Sequence, residues 1–104
     1  MTDKPLTDMQ EEALIALAEL VEAQGPESRH EAASVHRKLL SNAIFTDDDD
    51  RARRLRRQAT SAWGRVMAGL SEKGLVDRRW DERQAAYDYT ITEAGTKMLV
   101  SMGD

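Results

Sequence analysis

The sequence predicts a small, mainly helical α+β domain with one β-hairpin, in the order α-α-α-β-β-α. Apolar residues recur every three or four positions through most of residues 6–73, which is typical of amphipathic helices. After Gly74, apolar and polar residues alternate, as they do in strands. The composition, 40% hydrophobic and 33% charged over 104 residues, fits a single globular domain spanning residues 1–104.

Two helices are predicted on either side of Gly25-Pro26. Thr7, followed by Gln10 three residues later, forms a capping-box pattern and predicts the start of the first helix. Gly25-Pro26 ends that helix, because glycine favours the position after a helix and proline cannot continue it. We expect the second helix to begin near Ser28 and to end around residues 41–42.

A third helix, the longest, is predicted over about residues 47–73. Thr46 is its expected N-cap, and the four aspartates that follow complement the partial positive charge of a helix N-terminus. No proline interrupts the range, and apolar residues including Leu55 and Trp63 share one side of it. We expect Trp63 to anchor the core. A break near residues 59–61 into two helices is the alternative to one continuous helix.

The hairpin and a final helix complete the predicted order. Residues 75–80 and 87–92 alternate with a period of two, and residues 81–86 form the polar link between them. Within the hairpin, Trp80 and its tyrosine neighbours are expected to pack across the strands rather than to stack on bases. Thr92 is the expected cap of a short helix over about residues 93–102.

The net charge of −4 conceals a strong segregation of charge along the chain. Residues 1–50 contain 4 Lys/Arg against 12 Asp/Glu, whereas residues 51–83 contain 10 against 4. A polyanion close to the second block would respond to its local charge more than to the total, because salt screens charges beyond about 8–10 Å. The acidic average therefore does not exclude nucleic acid as a partner.

Several classes of protein are disfavoured by the composition. The chain contains no cysteine, which removes disulfides and thiolate chemistry. No apolar run reaches membrane-spanning length, and the first residues lack a signal-peptide core, so we expect a cytoplasmic protein without a membrane partner. His30 and His36 are six positions apart and do not form a metal-binding pair on a helix; we expect them at the surface. We expect no enzyme activity, cofactor or metal.

Two short runs point to a known family. The order of elements is that of a winged helix-turn-helix, and residues 70–76 (L-S-E-K-G-L-V) and 89–95 (Y-T-I-T-E-A-G) flank the predicted hairpin. Together they resemble the "L-x-E-K-G-L-V … L-T-E-A-G" segment of MarR-type and PadR-type transcriptional regulators. The resemblance covers roughly residues 58–100. An arginine-rich extension before it and a short final helix depart from those families.

The resemblance implies a particular way of binding DNA. Residues 58–73 match the part of the recognition helix that such proteins lay in the major groove, and residues 75–92 match the wing. Within the wing, Asp81-Glu82-Arg83 is similar to a D-x-R motif in which the aspartate braces an arginine that reaches the minor groove. The resemblance therefore implies double-stranded DNA as the partner.

The residues alone lead to a similar interface. Arg53, Arg54 and Arg57 lie opposite the apolar stripe of the predicted third helix and suit phosphate contacts. Ser61 and Arg65 lie near the middle of that face and are the candidates for contacts with base edges. Intrahelical pairing, such as that of Asp50 with Arg54, is the structural alternative. The full set of predicted DNA-binding residues is Arg53, Arg54, Arg57, Gln58, Thr60, Ser61, Gly64, Arg65, Arg79 and Arg83.

These observations predict sequence-specific binding of double-stranded DNA, most simply by a small transcriptional regulator. A phage or plasmid replication or maintenance factor would have the same features. The alternative from another class is a winged-helix protein-interaction module that does not touch DNA, for which the acidic first half would suit a basic partner. A single module binds a small DNA surface, so we expect a homodimer, formed through the first helix and the C-terminal helix.

Overall fold

The structure is a computed structural model in which residues 6–103 are described. These residues form five helices and three strands, and the strands make one antiparallel sheet in the order β1-β3-β2. The mainly helical α+β class is therefore confirmed. The elements are α1 (Asp8–Gln24), β1 (His30–Glu31), α2 (Ala32–Phe45), α3 (Asp49–Arg57), α4 (Thr60–Glu72), β2 (Val76–Asp81), β3 (Ala86–Ile91) and α5 (Glu93–Gly103).

β1 is a short strand that the predicted order α-α-α-β-β-α lacked. His30 lies opposite Tyr89 and Glu31 lies opposite Asp88, so β1 extends the hairpin at the free edge of β3. Two residues cannot display an alternating pattern, and their partners lie far along the chain. The prediction that α2 begins near Ser28 is wrong, because β1 occupies the chain immediately before α2.

The prediction of one continuous helix over residues 47–73 is also wrong. The backbone is extended at Gln58 (ψ 134°) and Ala59 (ψ 148°), which separates α3 from α4. The break exposes the carbonyl group of Leu55, which accepts a hydrogen bond from His36 Nε2 at 2.7 Å. His36 belongs to α2, so this partner for the end of α3 comes from outside the periodic stretch. His36 was predicted at the surface, but this hydrogen bond shows that it has a structural role between α2 and α3.

Asp48, not Thr46, caps α3. The Asp48 carboxylate accepts a hydrogen bond from the backbone N–H of Arg51 at 3.1 Å. Thr46 instead ends α2, where its hydroxyl donates to the carbonyl of Asn42 at 2.9 Å. Helix α2 therefore extends beyond its predicted end. The chain turns at Asp47, which has a positive φ of 57°, and α3 begins with two aspartates in its first turn, as the helix dipole favours.

The predicted boundaries of α1, the hairpin and α5 are confirmed to within a few residues. Thr7 and Gln10 exchange the two hydrogen bonds of a capping box, at 3.0 and 3.1 Å. Thr92 joins the hairpin to α5, because its hydroxyl accepts from the N–H of Gly95 and donates to the carbonyl of Gly74. These signals all lie within a few residues of the boundaries they mark.

The core lies between α1, α2 and α4 and is closed on one side by the sheet. Trp63 is fully buried, as predicted, and stacks on His36 with ring centroids 5.9 Å apart. Val76 and Tyr89 bring the base of the hairpin onto the same core. This packing fixes α4 and the hairpin relative to each other. The largest buried helical side chains around Trp63 are Leu14, Leu17, Val35, Leu55, Met67 and Leu70.

Candidate nucleic-acid interface

Helix α4 presents a small, weakly polar outer face. Trp63 and Leu70 bury one side of the helix, and Ser61, Arg65 and Ala68 lie on the opposite side at spacings of four and three residues. Ser61 and Arg65 are exposed, and no ion pair involves Arg65 in the part of the chain that the structure describes. The structure therefore keeps the two predicted base-edge residues together on an open helix face.

The arginines of α3 divide into two groups. Arg51 and Arg54 turn towards α1, where Glu12 lies 3.8 and 3.7 Å from their guanidinium nitrogens. Gln58 lies in the same acidic cleft beside α1, and its buried side-chain oxygen has no hydrogen-bond partner among residues 6–103. Arg54 and Gln58 are thus separated from the outer face of α4. Acidic neighbours make both positions less favourable for a phosphate than the sequence suggested.

The second group of α3 arginines faces solvent. Arg53 lies 3.9 Å from Asp50, so an intrahelical pair of the kind considered as the structural alternative forms, with Arg53 in place of Arg54. That pair is exposed and can be exchanged for a phosphate contact at small cost, because exposed ion pairs contribute about 0–1 kcal/mol. Arg56 and Arg57 are exposed and form no ion pair among the described residues. Arg56 was absent from the predicted set.

The hairpin turns an arginine and two aromatic rings towards α4. Trp80 and Tyr87 lie opposite each other on β2 and β3, with ring centroids 5.0 Å apart in an edge-to-face arrangement. The guanidinium carbon of Arg78 lies 4.4 Å from the centre of the Tyr87 ring, a cation–π contact. The predicted cross-strand packing is confirmed. Arg78 was missed, although alternation from the buried Val76 places it on this face.

Arg79 points to the other face of the sheet and has a structural partner there. Its guanidinium lies 3.2 Å from one oxygen of the buried Asp88, and Arg29 Nε donates to the other oxygen at 2.6 Å. Arg29 also donates to the carboxylate and the carbonyl of Asp77, at 3.1 and 3.0 Å. Burial raises the pKa of Asp88, but the hydrogen bonds and charges of Arg29 and Arg79 outweigh it and hold that pKa below its ordinary value.

The tip of the hairpin is held by Asp81. Its carboxylate accepts a hydrogen bond from the backbone N–H of Arg83 at 2.9 Å. The aspartate therefore shapes the turn, and the ion pairs of the described residues include none between the two side chains. Ala85 completes the turn with a positive φ of 51°. The Arg83 side chain is exposed at the end of the hairpin.

A cleft of 230 Å³ separates α4 from the hairpin and the start of α2. Helices α2 and α4 both begin there, and neither has a side-chain cap, since Glu31 and Ala59 make no capping hydrogen bond. The side chains of these two N-cap residues therefore accept no hydrogen bond from the first N–H groups of the helices. Glu31 adds a negative charge that opposes an anion at this point. The cleft is lined by Glu31, Ala32, Ala33, Thr60, Ser61, Gly64, Ala86, Tyr87 and Tyr89.

Other kinds of site receive no positive support. Over the described residues there is no cluster of His, Asp and Glu side chains suited to a metal ion. His30 Nε2 lies 2.9 Å from the Ser28 hydroxyl, and burial lowers the pKa of His30. Within residues 6–103, no helix combines the length and apolar character needed to cross a bilayer.

No family model matches the chain, and no curated protein or solved structure is significantly similar to it. The relation to MarR-type and PadR-type regulators therefore stays a prediction.

Proposed function

We propose that this protein binds double-stranded DNA as a winged helix-turn-helix protein and acts as a small transcriptional regulator. In this proposal α3 and α4 are the helix-turn-helix, α4 enters the major groove, and the β2-β3 hairpin is the wing. The observation that carries the proposal is the position of Arg65. It is exposed on α4, has no carboxylate partner among the described residues, and lies in the sequence between the exposed arginines of α3 and the hairpin.

The shape of α4 supports an approach to a groove. Ser61, Gly64 and Ala68 are small, so the helix backbone can come close to base edges while Arg65 extends beyond it. A guanidinium group can make two hydrogen bonds to the O6 and N7 atoms of guanine. Ser61 can donate to or accept from several bases. We therefore assign sequence preference to Ser61 and Arg65.

Charge around α4 supports contacts with the DNA backbone. Arg53, Arg56 and Arg57 are exposed on α3, and Arg78 and Arg83 are exposed on the wing. These side chains suit phosphate groups, which position a protein on the duplex without reading its sequence. The uncapped starts of α2 and α4 can supply further N–H donors to a phosphate. Arg54 and Arg79 have carboxylate partners within the chain and are expected to contribute less.

Fluorescence anisotropy with a labelled duplex of mixed sequence, measured at increasing salt, tests the proposal. Each neutralised phosphate contributes about −0.9 to the slope of log K against log salt, so four contacts would give about −3.6. A flat salt dependence, or no binding at low salt, would overturn the proposal. That outcome would leave the protein-interaction module as the better account of the fold.

Three variants separate the roles of the arginines. Arg65→Ala is expected to reduce the preference for a selected sequence over random DNA, with a loss of about 1–3 kcal/mol for the selected site. Arg57→Ala is expected to weaken binding to every sequence and to lower the salt slope by about 1. Lys97→Ala removes the same charge from an exposed position on α5, a helix that contributes no residue to the proposed interface, and is the matched control. Equal losses in all three variants would contradict the proposed interface.

A further inference from the structure

Helix α2 has an exposed side opposite the side that it packs into the core. Its core side contains Val35, Leu39 and Ala43, all buried. On the opposite side, Ile44 is 51% exposed and Phe45 is 88% exposed. Large apolar side chains that are this open, next to each other, are typical of an interaction surface.

These two residues form one end of a groove of 470 Å³ along α2. Arg37 forms the other end, with Ser41 between them, and Leu40 contributes to the floor. The spacing of Arg37, Ser41 and Ile44 by four and three residues places them on one line along the helix. We call this line, together with Phe45, the α2 stripe.

Charge changes sign along the α2 stripe. Arg37 is exposed at its N-terminal end, where its guanidinium donates to the Ser34 hydroxyl and has no carboxylate partner among the described residues. The aspartates at positions 47–50 come after Phe45 and Thr46 at the other end, and all four are exposed. The stripe therefore runs from a cation, through a small polar residue, to an apolar pair, and the exposed aspartates lie just beyond its end.

Such a surface is complementary to itself when two helices run antiparallel. A two-fold axis at Ser41 places Arg37 of each copy opposite Phe45 of the other, because both positions lie four residues from the axis. The aromatic ring can then lie against the guanidinium group, a contact worth about 0.5–2 kcal/mol when partly desolvated. The aspartates of each copy come near the basic end of its partner. Contacts of this kind are isologous, as in most homodimers.

We propose that the α2 stripe is the docking surface for a second copy of this chain. The two α2 helices cross antiparallel near Ser41, whose small side chain permits the interaxial distance of about 8–10 Å that packed helices adopt. Phe45 and Ile44 of each copy leave water on association, and Arg37 faces the aspartate cluster of the partner. A basic or neutral partner protein would leave Arg37 without its complement.

This surface differs from the one that the sequence predicted. Pairing through α1 and α5 would use Ile15 and Val100, which are the exposed large apolar residues of those helices. Each is a single exposed large apolar residue on its helix, whereas Ile44 and Phe45 are adjacent in the sequence and flanked by charges of opposite sign. The α2 stripe includes none of the residues proposed to touch DNA. Dimerisation is therefore measured without DNA, and its failure is distinguishable from a failure of DNA binding.

Sedimentation equilibrium of the DNA-free protein gives the first test. The wild-type chain is expected to dimerise, and Phe45→Ser is expected to raise the dimer dissociation constant at least about 100-fold, since two phenylalanine side chains are lost per interface. Val100→Ser removes an exposed apolar side chain from α5 and is expected to leave the constant unchanged. A wild-type chain that is monomeric at millimolar concentration, or a dimer that Phe45→Ser does not weaken, would overturn the proposal.

Disulfide trapping gives a second test that does not depend on removing an apolar side chain. The chain contains no cysteine, so a single cysteine can pair only with its copy in a second chain. Ser41→Cys is expected to form a covalent dimer under mild oxidation, because the proposed axis brings the two positions together. Ile15→Cys and Val100→Cys are the matched controls on α1 and α5. Faster crosslinking at either control position than at Ser41→Cys would assign the dimer to the other helices and refute the α2 stripe.

Discussion

The Arg29→Ala variant tests whether a buried ion network holds the hairpin to the rest of the fold. Arg29 lies just before β1 and contacts Asp88 of β3 and Asp77 of β2, so a single side chain joins the three strands of the sheet. Its side chain is 16% exposed and that of Asp88 is 8% exposed. Removing Arg29 leaves a buried carboxylate without its shortest hydrogen bond.

The expected loss of unfolding free energy depends on the contacts that Asp88 keeps in the variant. Breaking a buried ion pair by deleting one partner costs about 3–5 kcal/mol, because the other charge stays buried. Arg79 still reaches the second oxygen of Asp88, at 3.2 Å, so we expect the lower end of that range, about 3 kcal/mol. For a domain of this size, such a loss lowers Tm by about 12 °C or more.

Urea unfolding, followed by circular dichroism and by the fluorescence of the buried Trp63, measures this change. Arg79→Ala is the matched control: it removes the same type of side chain from the same carboxylate, but this arginine is 63% exposed. Its loss is expected to cost about 1 kcal/mol or less. If Arg29→Ala cost no more than Arg79→Ala, the buried network would not hold the sheet together and the reasoning would be refuted.

Three further predictions concern local features. Gly95→Ala is expected to destabilise the protein, although alanine normally stabilises a helix by about 1 kcal/mol, because a Cβ there would clash with the carbonyl oxygen of Leu75; a higher melting temperature would contradict this. Asp48→Ala is expected to cost about 1 kcal/mol of unfolding free energy through loss of the α3 cap, measured by urea unfolding, and Thr46→Ala should cost less if Asp48 is the cap. The pKa of Asp88 is lower in the folded than in the unfolded state, so its contribution to stability is present above about pH 4 and is lost as the pH falls through the folded pKa. Unfolding free energies measured in steps from pH 6 downwards should therefore decline more for wild type than for Asp88→Asn, and parallel curves would argue against the shift.

The positions of the predicted DNA-binding residues follow helical periodicity within one helix but not from α3 to α4. Ser61 and Arg65 lie on one open face, because both belong to α4 and a short helix preserves its own periodicity. Arg54 was assigned to the same surface on the assumption of one continuous helix. The break at Gln58 and Ala59 rotates α3 relative to α4, and Glu12 of α1 then pairs with Arg54. Helical periodicity takes no account of a carboxylate on another helix, so it could not predict this pair.

The sequence by itself determined the features whose physical cause is local. Thr7 marks the start of α1, and Thr92 joins the hairpin to α5, because each makes capping hydrogen bonds only three residues along the chain. The alternation after Gly74 predicted both long strands for the same reason. The class of the fold follows from these signals, since each element is specified by its own neighbours.

Only the tertiary structure decided the features that depend on distant partners. β1 exists because His30 and Glu31 meet β3, and the end of α3 finds a partner in His36 of α2. The run of aspartates and arginines over residues 47–57 is a further example: its first aspartates form a turn and a cap, while Arg54 pairs with α1 and Arg57 remains open to solvent. Periodicity places a side chain on a helix face, but the packing of other helices decides whether that face meets a carboxylate, the core or water.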